Sequence, residues 1–496
     1  MAVPDPDLPN KRRLRAAAAL LAAVSPLADE LGGLFAAGGH ELALVGGPVR
    51  DVFLQRTPGD LDLTTDATPE RILEITRGWA DQVWTIGIDF GTVGLRKGSS
   101  IFEITTYRSE SYDRMSRKPV VAYGRSLEDD LARRDFTVNA MAARLPGYQL
   151  VDPFGGLADV QRRLLRTPGT PEASFTDDPL RILRAARFTA QLGFTVVPEV
   201  REAMSRLAGL LAPPKVSAER IEIELTKLLL SPRPGGPAAG IALLVETGVA
   251  DQVLPEVSAL RLEADEHFRH KDVYQHSLTV LSQAIGLEGR YGLEPDIVLR
   301  LAALLHDIGK PRTRSKLPDG RVAFHHHEVV GAKMARKRLA ALRYRKDIVS
   351  DVSRLVELHL RFHGYGGGEW TDSAVRRYVT DAGPLLTRLH ALTRADSTTR
   401  NKAKALRLAR AYDGLEARID ELAEQEELDS LRPDLDGNEI MAILGIPPGP
   451  PVGRAYQHLL ELRIENGPLG RDRAVQELLT WAASEGIEPP TPGPAE

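Results

Sequence analysis

The stretch Gly59-Asp60-Leu61-Asp62-Leu63-Thr64-Thr65 places two carboxylates one residue apart in an apolar run. Side chains at i and i+2 of a β-strand face the same side, so Asp60 and Asp62 are predicted to project together while Leu61 and Leu63 pack into the core. Two adjacent carboxylates repel each other unless a cation lies between them, and Mg²⁺ is the usual occupant because it prefers oxygen ligands. The alternative is a solvated strand face, which the Leu-rich flanks disfavour because Asp is rare in strands.

A glycine turn precedes this carboxylate pair. The apolar run Glu41–Val45 is followed by Gly46-Gly47-Pro48-Val49-Arg50-Asp51, which is predicted to open a helix. The glycines let the backbone approach a phosphate closely, and the helix N-terminus supplies donors. Arg50 would add charge-assisted hydrogen bonds to a triphosphate. Taken alone, a Gly-Gly turn between a strand and a helix is more often only a turn.

Two further polar clusters follow the pair. Glu103 lies in the apolar strand Ile101–Arg108 and either supplies a third carboxylate to the same metal or pairs with a nearby arginine; the two interpretations have equal weight. The run Arg133-Arg134-Asp135-Phe136-Thr137-Val138-Asn139-Ala140 offers arginines to phosphate oxygens and the Asp135 carboxylate to a ribose hydroxyl. An isolated Arg-Arg-Asp sequence is common on protein surfaces. It indicates a nucleotide site only because the other motifs accompany it.

The composition excludes several classes of protein. The chain has 496 residues, of which 43% are hydrophobic, so several domains with separate cores are expected. The formal net charge of −4 excludes a globally basic nucleic-acid coat, and any RNA site must be a local basic patch. There are 0 cysteines, which excludes disulfides, thiolate metal sites and a Cys nucleophile. This composition fits a reducing cytosol, and a cytoplasmic location is expected.

The patterning divides the chain into a mixed first part and a helical remainder. Short strand-like runs alternate with glycine turns to about Leu165, and an almost wholly helical pattern begins at about Thr176. Lys11-Arg12-Arg13 and the Ala-rich run to Val24 are interpreted as a soluble amphipathic first helix, with a signal peptide as the less favoured alternative. No later segment has the ~18 uninterrupted apolar residues of a membrane span. The Pro-rich tail Glu488–Glu496 is predicted to be disordered.

Three motifs in this order resemble those of the bacterial class II tRNA CCA-adding enzymes and their poly(A) polymerase relatives. They are Gly-Gly-Pro-Val-Arg-Asp (46–51), Asp-Leu-Asp-Leu-Thr-Thr (60–65) and Arg-Arg-Asp-Phe-Thr-Val-Asn-Ala (133–140), and the similarity runs from about residue 41 to 188. The resemblance implies a nucleotidyltransferase head of the DNA polymerase β type, in which Asp60 and Asp62 hold the catalytic Mg²⁺. It also implies nucleotide contacts for Gly46, Gly47, Arg50, Arg134 and Asp135.

The segment after the head is predicted to read the nucleobase. Asp177-Asp178-Pro179-Leu180-Arg181 is expected to begin a helix that runs to Phe188, with an acidic first turn. Asp178 and Arg181, three residues apart, would lie close on one face and offer one acceptor and a fork of donors. Cytosine and adenine present an amino group beside a ring nitrogen, whereas uracil and guanine present a carbonyl there. The pair would therefore accept C and A and leave a buried group unpaired against U and G.

The same segment resembles the family's nucleobase-reading motif, Glu-Asp-x-x-Arg, with Asp177 in the Glu position. The resemblance implies nucleotide contacts for Asp178, Arg181, Arg184 and Arg187, and it leaves the role of Asp177 open. Without the head motifs, an acidic helix start with solvated arginines is the preferred interpretation.

A second constellation of possible metal ligands lies in the helical part. Leu301-Ala-Ala-Leu-Leu-His306-Asp307 is an apolar helix that ends in an adjacent His-Asp pair. The wider set resembles the HD phosphohydrolase pattern, which binds one or two divalent metal ions, transition metals or Mg²⁺, and implies phosphatase or cyclic phosphodiesterase activity towards RNA ends. Of the triplet His325-His326-His327, we favour His327 as the ligand. The expected ligands are His276, His306, Asp307, His327, His359 and Asp396.

The predicted fold class is therefore an α+β multidomain protein, with a small polymerase-β-type α/β head followed by a long all-helical body that contains an HD domain. The predicted domains are a nucleotidyltransferase head (1–166), a helical neck that reads the nucleobase and contacts RNA (167–260), an HD domain (261–412) and a helical tail with a disordered C-terminus (413–496). The basic stretches Lys333–Lys346 and Arg400–Arg410 are either RNA-backbone contacts or solvated helix faces.

The expected activity is template-independent addition of CCA to the tRNA 3′ end from CTP and ATP, with no membrane partner. Poly(A) addition and partial addition, of A or of CC alone, remain open because these enzymes share the head motifs. An HD phosphohydrolase with a sensor head is an alternative of another class, and the intact Asp60–Asp62 pair argues against it. A non-catalytic RNA-binding protein is a third, and it would need no paired carboxylates.

Overall fold

The computed structural model describes residues 18–22, 26–56, 59–110, 121–123, 126–212, 215–262, 273–318, 322–362, 371–398, 401–426 and 432–488. These residues form two compact units that divide between Val253 and Leu254. The predictions for Lys11-Arg12-Arg13 and for the tail beyond Glu488 lie outside the described residues.

The first unit is built around a seven-stranded mixed sheet. The strands of this unit's head are β1 (Leu42–Val45), β2 (Leu61–Thr65), β3 (Gln82–Trp84), β4 (Thr92–Lys97), β5 (Ser100–Thr106), β6 (Arg108–Glu110), β7 (Val121–Tyr123), β8 (Ala142–Leu145) and β9 (Gln149–Val151). The order across the sheet is β3-β4-β5-β2-β1-β8-β9, and β6 pairs with β7 as a separate ribbon. β2 and β5 run parallel, and the other neighbours in the sheet are antiparallel.

Helices cover the sheet and continue beyond it. They are α1 (Pro26–Ala37), α2 (Gly47–Phe53), α3 (Pro69–Ile75), α4 (Leu127–Ala132), α5 (Gly156–Arg162), α6 (Pro171–Asp177), α7 (Leu180–Leu192), α8 (Pro198–Leu207), α9 (Ala218–Leu229), α10 (Gly236–Glu246) and α11 (Ala250–Val253). A two-residue parallel bridge joins β10 (Leu164–Leu165) to β11 (Thr195–Val196). Ser and Thr residues cap several helix starts, which satisfies free backbone N–H groups: Thr68, Ser126, Thr170 and Ser217.

The second unit is helical apart from one hairpin, β12 (Arg314–Lys316) with β13 (Val322–Phe324). Its helices are α12 (Pro255–Ala259), α13 (Val273–Leu287), α14 (Ile297–Leu305), α15 (Lys310–Thr313), α16 (His327–Ala341), α17 (Lys346–Leu358), α18 (Asp372–Ala382), α19 (Leu386–Asp396), α20 (Lys402–Glu426), α21 (Gly437–Leu444), α22 (Pro450–Asn466) and α23 (Arg471–Ser484). The last three pack around a small core of their own that includes Leu444, Leu459 and Leu478.

The predicted fold class is confirmed: a small α/β head precedes a helical body. One local prediction is wrong. Asp177 ends α6, and Asp178 has an extended backbone (φ −136°, ψ 98°), so these residues do not form the first turn of the next helix. Proline disfavours the helical conformation of the residue before it, and Pro179 therefore separates α6 from α7. The three boundaries between the predicted domains remain predictions, and the one at 412/413 falls inside α20.

Candidate functional site

The carboxylate pair lies on an open face of the central sheet. Asp60 immediately precedes β2, Asp62 is its second residue, and both are exposed. Leu61 and Leu63, which alternate with them, are buried at 6% and 1% exposure. The alternation predicted from the sequence is therefore present.

Glu103 lies beside this pair. β5 runs parallel to β2, and Glu103 is in register with Asp62. Register neighbours on adjacent strands face the same side of a sheet, so Glu103 shares the face of the two aspartates. Within the described part of the chain, the structure records no ion pair for Glu103. This arrangement favours the third carboxylate over the arginine pair.

The electrostatics of this face favour a bound cation. The Asp62 carboxylate is open to solvent on one side, but the surrounding protein raises its pKa. Arg134 and Arg184 lower that pKa, whereas the Glu103 and Asp60 carboxylates raise it. Repulsion among three carboxylates is relieved by a hard divalent cation, and the oxygen-only set fits Mg²⁺.

The glycine turn lies between β1 and α2, next to the carboxylates. Gly46 has φ of 72°, in the left-handed region that favours glycine. A Cβ at Gly46 would lie 2.9 Å from Arg134 Nη1, so the missing side chain makes room for that guanidinium. Arg50 is 8% exposed, pairs with Asp51 at 2.8 Å and donates to Asn139 Oδ1.

The Arg-Arg-Asp cluster is held by a buried carboxylate. Arg133 and Arg134 bind Asp130 at 2.8 and 3.1 Å, and Asp130 is 1% exposed. Burial alone would raise the pKa of Asp130, but the two arginines lower it below its usual value. Asp130 thus stays ionised and fixes Arg134 beside the glycine turn.

Asp135 is engaged within the protein. Its carboxylate accepts from Asn139 Nδ2 at 2.9 Å and from Arg184 Nε at 2.7 Å. Burial would raise its pKa, but Arg184 and Asn139 bring the pKa down to about 2. The contact expected between Asp135 and a ribose hydroxyl stays a prediction.

The structure does not pair the side chains of Asp178 and Arg181. Asp178 binds Arg220 at 3.1 Å. The Arg181 guanidinium donates to the Ser174 hydroxyl at 3.0 Å and to the Arg133 carbonyl at 2.6 Å. Because Pro179 interrupts the helix between them, Asp178 and Arg181 do not share a helix face, and each side chain is held by a different set of partners.

An arginine cluster surrounds Phe188 on α7. The guanidinium carbons of Arg50, Arg184 and Arg187 lie 5.4, 5.4 and 4.5 Å from the centre of the Phe188 ring. Burial, together with the repulsion of Arg184, lowers the pKa of Arg187 to about 10. Three crowded cations next to the glycine turn form a surface suited to phosphate oxygens.

Glu224 balances this cluster. It lies on α9, is 4% exposed and contacts Arg187 Nε at 3.0 Å and Arg184 Nη1 at 3.8 Å. Sequence reasoning missed Glu224 because no local pattern links it to α7. The sequence could have indicated Asp130, because it precedes Arg134 by four residues, the spacing at which side chains on a helix can pair.

The second unit brings the six expected metal ligands together. Two clusters have ligand atoms within 4.8 Å of one another: His276 with His306 and Asp396, and Asp307 with His327 and His359. Most of these residues lie at helix ends, where a side chain reaches the centre of the bundle. His325 and His326 are exposed, so the structure places only His327 of that triplet in a cluster.

The histidine tautomers leave one nitrogen free for a metal. Nδ1 of His306, His327 and His359 lies 2.9, 2.8 and 2.7 Å from the backbone carbonyl three residues earlier. A carbonyl only accepts, so Nδ1 carries a proton in each ring, and Nε2 has the lone pair wherever the ring is neutral. The Nε2 atoms of His327 and His359 are buried without a hydrogen-bond partner in the described structure. Such orphaned acceptors fit a metal ion.

Asp307 joins the two clusters. Its Oδ2 lies 3.2 Å from His306 Nε2 and 2.9 Å from Lys310 Nζ, and its Oδ1 lies 3.3 Å from His327 Nε2. Burial lowers the pKa of His306, but Asp307 and Asp396 outweigh burial and raise that pKa to about 10. Burial lowers the pKa of His359 to about 3, so it is neutral, as a metal ligand must be.

Three segments match known family models. Residues 42–166 match the model described as "Poly A polymerase head domain". Residues 193–260 match "Probable RNA and SrmB- binding site of polymerase A", and residues 273–401 match "HD domain". No described helix is both long and apolar enough to cross a bilayer.

Similar proteins act on tRNA ends. The chain is 39% identical over 344 residues to an A-adding tRNA nucleotidyltransferase of Deinococcus radiodurans, covering 68% of this chain and 75% of that relative. It is 34% identical over 443 residues to a CC-adding tRNA nucleotidyltransferase of Thermus thermophilus, covering 88% and 93%. The solved Bacillus stearothermophilus CCA-adding enzyme in complex with CTP has a similar fold, with a TM-score of 0.63 at 24% identity over 93% of this chain and 98% of that one.

Proposed function

Because this chain belongs to the tRNA nucleotidyltransferase family, we propose that it adds CCA to the 3′ end of tRNA from CTP and ATP. One observation carries the proposal: Asp60, Asp62 and Glu103 share one face of the sheet, beside the turn that holds Gly46, Gly47 and Arg50. A carboxylate set next to a cationic phosphate cradle is what metal-assisted nucleotidyl transfer requires. The cytoplasm, where tRNA is processed, is the proposed location.

Different residues of the head are proposed to bind the metal and the phosphates. Asp60 and Asp62, with Glu103 as a third carboxylate, would hold Mg²⁺, which when bound stabilises charge on the attacking and leaving oxygens. Arg50 and Arg134 are placed to bind triphosphate oxygens from the glycine turn. The 3′-hydroxyl of the RNA attacks the α-phosphorus, and pyrophosphate leaves with the electrons of the broken bond.

Selection of C and A is proposed for Asp178 and Arg181. Asp178 already binds Arg220, yet an ionised carboxylate has acceptor capacity left for the amino group of a base. Arg181 is held by the Arg133 carbonyl, which links the reading residue to the cluster at the glycine turn. Arg184 and Arg187 would complete the nucleotide contacts.

The second unit is proposed to bind one or two divalent ions and to act as a phosphohydrolase on RNA ends. His276, His306 and Asp396 would hold one ion and His327 and His359 the other, with Asp307 between them. Imidazole ligands suit transition metals, and the carboxylates also accept Mg²⁺. Lys310, at 2.9 Å from Asp307, positions that carboxylate.

The identity of the product tests the proposal. Protein would be incubated with tRNA that lacks its 3′ CCA, Mg²⁺ and each of the four nucleoside triphosphates, singly and together, and the RNA ends would be sequenced. We expect addition of C, C and A with CTP and ATP, followed by a stop, and no addition from UTP or GTP. Absence of all incorporation would count against nucleotidyl transfer.

Partial addition is the second candidate, because the two relatives described above are named for adding A alone or CC alone. The same assay distinguishes it from CCA addition. Extension of CC-ended tRNA by one A, with no use of CTP, would indicate an A-adding enzyme. Extension that stops at CC would indicate a CC-adding enzyme, and a long A tail would indicate a poly(A) polymerase.

A further inference from the structure

Trp84 shares a face of the sheet with the catalytic carboxylates. It is the last residue of β3 and is in register with Gly94 of β4. Gly94 is in register with Glu103 of β5, and Glu103 with Asp62 of β2. Register partners on neighbouring strands project from the same face, so these four positions form one row across the sheet.

Gly94 makes room for the indole ring. A Cβ added at Gly94 would lie 2.0 Å from both Cε2 and Nε1 of Trp84, so the ring lies directly against the glycine backbone. Glycine inside a strand weakens the strand and marks a close approach. Gly94 is buried under the ring, whereas Trp84 itself remains half-exposed. An aromatic surface is thus held in place on the same face of the sheet as the carboxylates and is half-exposed.

The order of the strands indicates which substrate reaches this ring. The glycine turn follows β1, on one side of β2, whereas β5, β4 and β3 follow in order on the other side. In phosphoryl transfer the attacking and leaving oxygens lie roughly in line, on opposite sides of the phosphorus. If pyrophosphate leaves on the side of Gly46 and Arg50, the RNA 3′-hydroxyl arrives from the side of β5, β4 and β3.

The distance along the row suits a short single strand. Neighbouring strands lie about 4.8 Å apart, so Trp84, three strands from Asp62, is about 14 Å from it. That distance is spanned by about four stacked nucleotides at ~3.4 Å each. Ile86 and Phe90, which follow Trp84 closely in sequence, are also exposed apolar residues, at 93% and 52%.

We infer that Trp84 stacks on a base close to the 3′ end of the RNA and aligns the strand with Asp60 and Asp62. The inference rests on the proposed nucleotidyl transfer. Stacking suits this task because every base has a π-face, so one ring accepts the varied sequences of tRNA ends. Trp84 is therefore a positioning residue for the RNA, separate from the residues that bind the nucleotide.

The test compares Trp84→Ala and Trp84→Phe with the control Val83→Ala in steady-state extension of tRNA. Val83 precedes Trp84 and points to the opposite face of the sheet, in register with Leu95, and it is 47% exposed at the sheet edge, so its truncation removes no core packing. We expect Trp84→Ala to raise the KM for tRNA about tenfold, the size of one lost stack. The KM for CTP and kcat should stay unchanged, and Trp84→Phe and Val83→Ala should behave as the wild type. An unchanged KM for tRNA in Trp84→Ala overturns the inference, as does an equal rise in the KM for CTP.

An abasic RNA series makes the test specific to stacking. Each of the last four nucleotides of the acceptor would be replaced in turn by an abasic one. At one of the four positions, the abasic replacement should raise the wild-type KM for tRNA as much as Trp84→Ala does. Combining that abasic RNA with the Trp84→Ala protein should raise the KM for tRNA no further. Additive effects at all four positions contradict stacking. A wild-type protein that extends no RNA would refute the proposed function itself, an outcome distinct from either.

Discussion

Glu224 is the residue on which the arginine cluster of the first unit depends. Its buried carboxylate lies against Arg187 and Arg184, and Arg184 in turn binds Asp135. Burial of Arg50 and Arg187 around Phe188, with the half-buried Arg184 beside them, is unfavourable without a neighbouring negative charge. Glu224 therefore acts on the nucleotide site through these arginines, without a place in the sequence motifs.

Glu224→Gln is expected to destabilise the protein by about 3 kcal/mol, because it leaves Arg187 buried without its counter-ion. It should also raise the KM for CTP, since Arg184 and Arg187 lose their fixed positions. Urea unfolding and nucleotide kinetics measure the two effects. Glu222→Gln, a half-exposed position on the same helix, is the control and should change stability by about 0.5 kcal/mol or less. Equal stability of the two variants would contradict this role for Glu224.

The orientation of a single side chain could be predicted where the repeat of its own strand or helix determines which way it points. The alternation of Asp60 and Asp62 with Leu61 and Leu63 follows from the strand period alone, and the structure shows it. The pairing of Asp178 with Arg181 did not follow, because helical spacing assumes a helix that Pro179 interrupts. The sequence could not decide between the two roles of Glu103, because its register with Asp62 depends on the pairing of strands that are distant in sequence.

At the scale of elements, the first part of α20 is exposed within the described part of its unit. Residues 401–411 are exposed apart from the half-exposed Leu408, and the apolar Leu406 is 55% exposed. The segment carries four cations and no acidic residue before Asp413: Lys402, Lys404, Arg407 and Arg410. No ion pair is recorded for these four within the described residues. Such an element is compatible with both expectations, an RNA-backbone contact and a solvated helix face, and the next experiment distinguishes them.

Replacement of these four cations by Gln should weaken tRNA binding and reduce its salt dependence. Each phosphate contact contributes a slope of about −0.7 to −0.9 to the plot of log K against log salt, so four contacts contribute about −3. Filter binding or fluorescence titration across a salt series measures the slope. Arg418→Gln is the matched control on the same helix, because Arg418 is already paired with Asp372 and Glu421. A slope unchanged by the fourfold variant would show that α20 does not contact RNA.

Helices and strands were predicted well where the sequence pattern within the element itself determines its structure. The strands that contain Ala43, Asp62 and Glu103 and the apolar helix before His306 follow from periodicity and composition, whereas β6 to β9 were not predicted. The boundary predicted at 412/413 falls within α20, which continues through Asp413 and Gly414 although these residue types are typical of helix ends. The convergence of six ligands from separate elements depends on tertiary packing, and only the resemblance to the HD pattern anticipated it.

At the scale of the whole molecule, the described residues include two sets of candidate metal ligands, one in each of two compact units. The head set is made of carboxylates, and the second set is made of imidazoles and carboxylates. Their different chemistry predicts that the two activities are separable.

Asp307→Ala is expected to lose bound divalent metal and any hydrolysis of 2′,3′-cyclic nucleotides, because Asp307 joins both ligand clusters. Incorporation of nucleotides into tRNA should continue in this variant. Elemental analysis of the purified protein and a hydrolysis assay check both statements. Joint loss of hydrolysis and incorporation in a folded Asp307→Ala protein would contradict two separate sites.

The central claim is that Asp60 and Asp62 form the catalytic centre of a tRNA nucleotidyltransferase. The measurement that tests it most directly is the rate of labelled CTP incorporation into tRNA lacking its CCA end, in the wild type, Asp60→Ala and Asp62→Ala. We predict extension by the wild type and a loss of about 10³-fold or more in each variant, since the metal contributes several kcal/mol to the transition state. Incorporation at the wild-type rate by either variant would contradict the account.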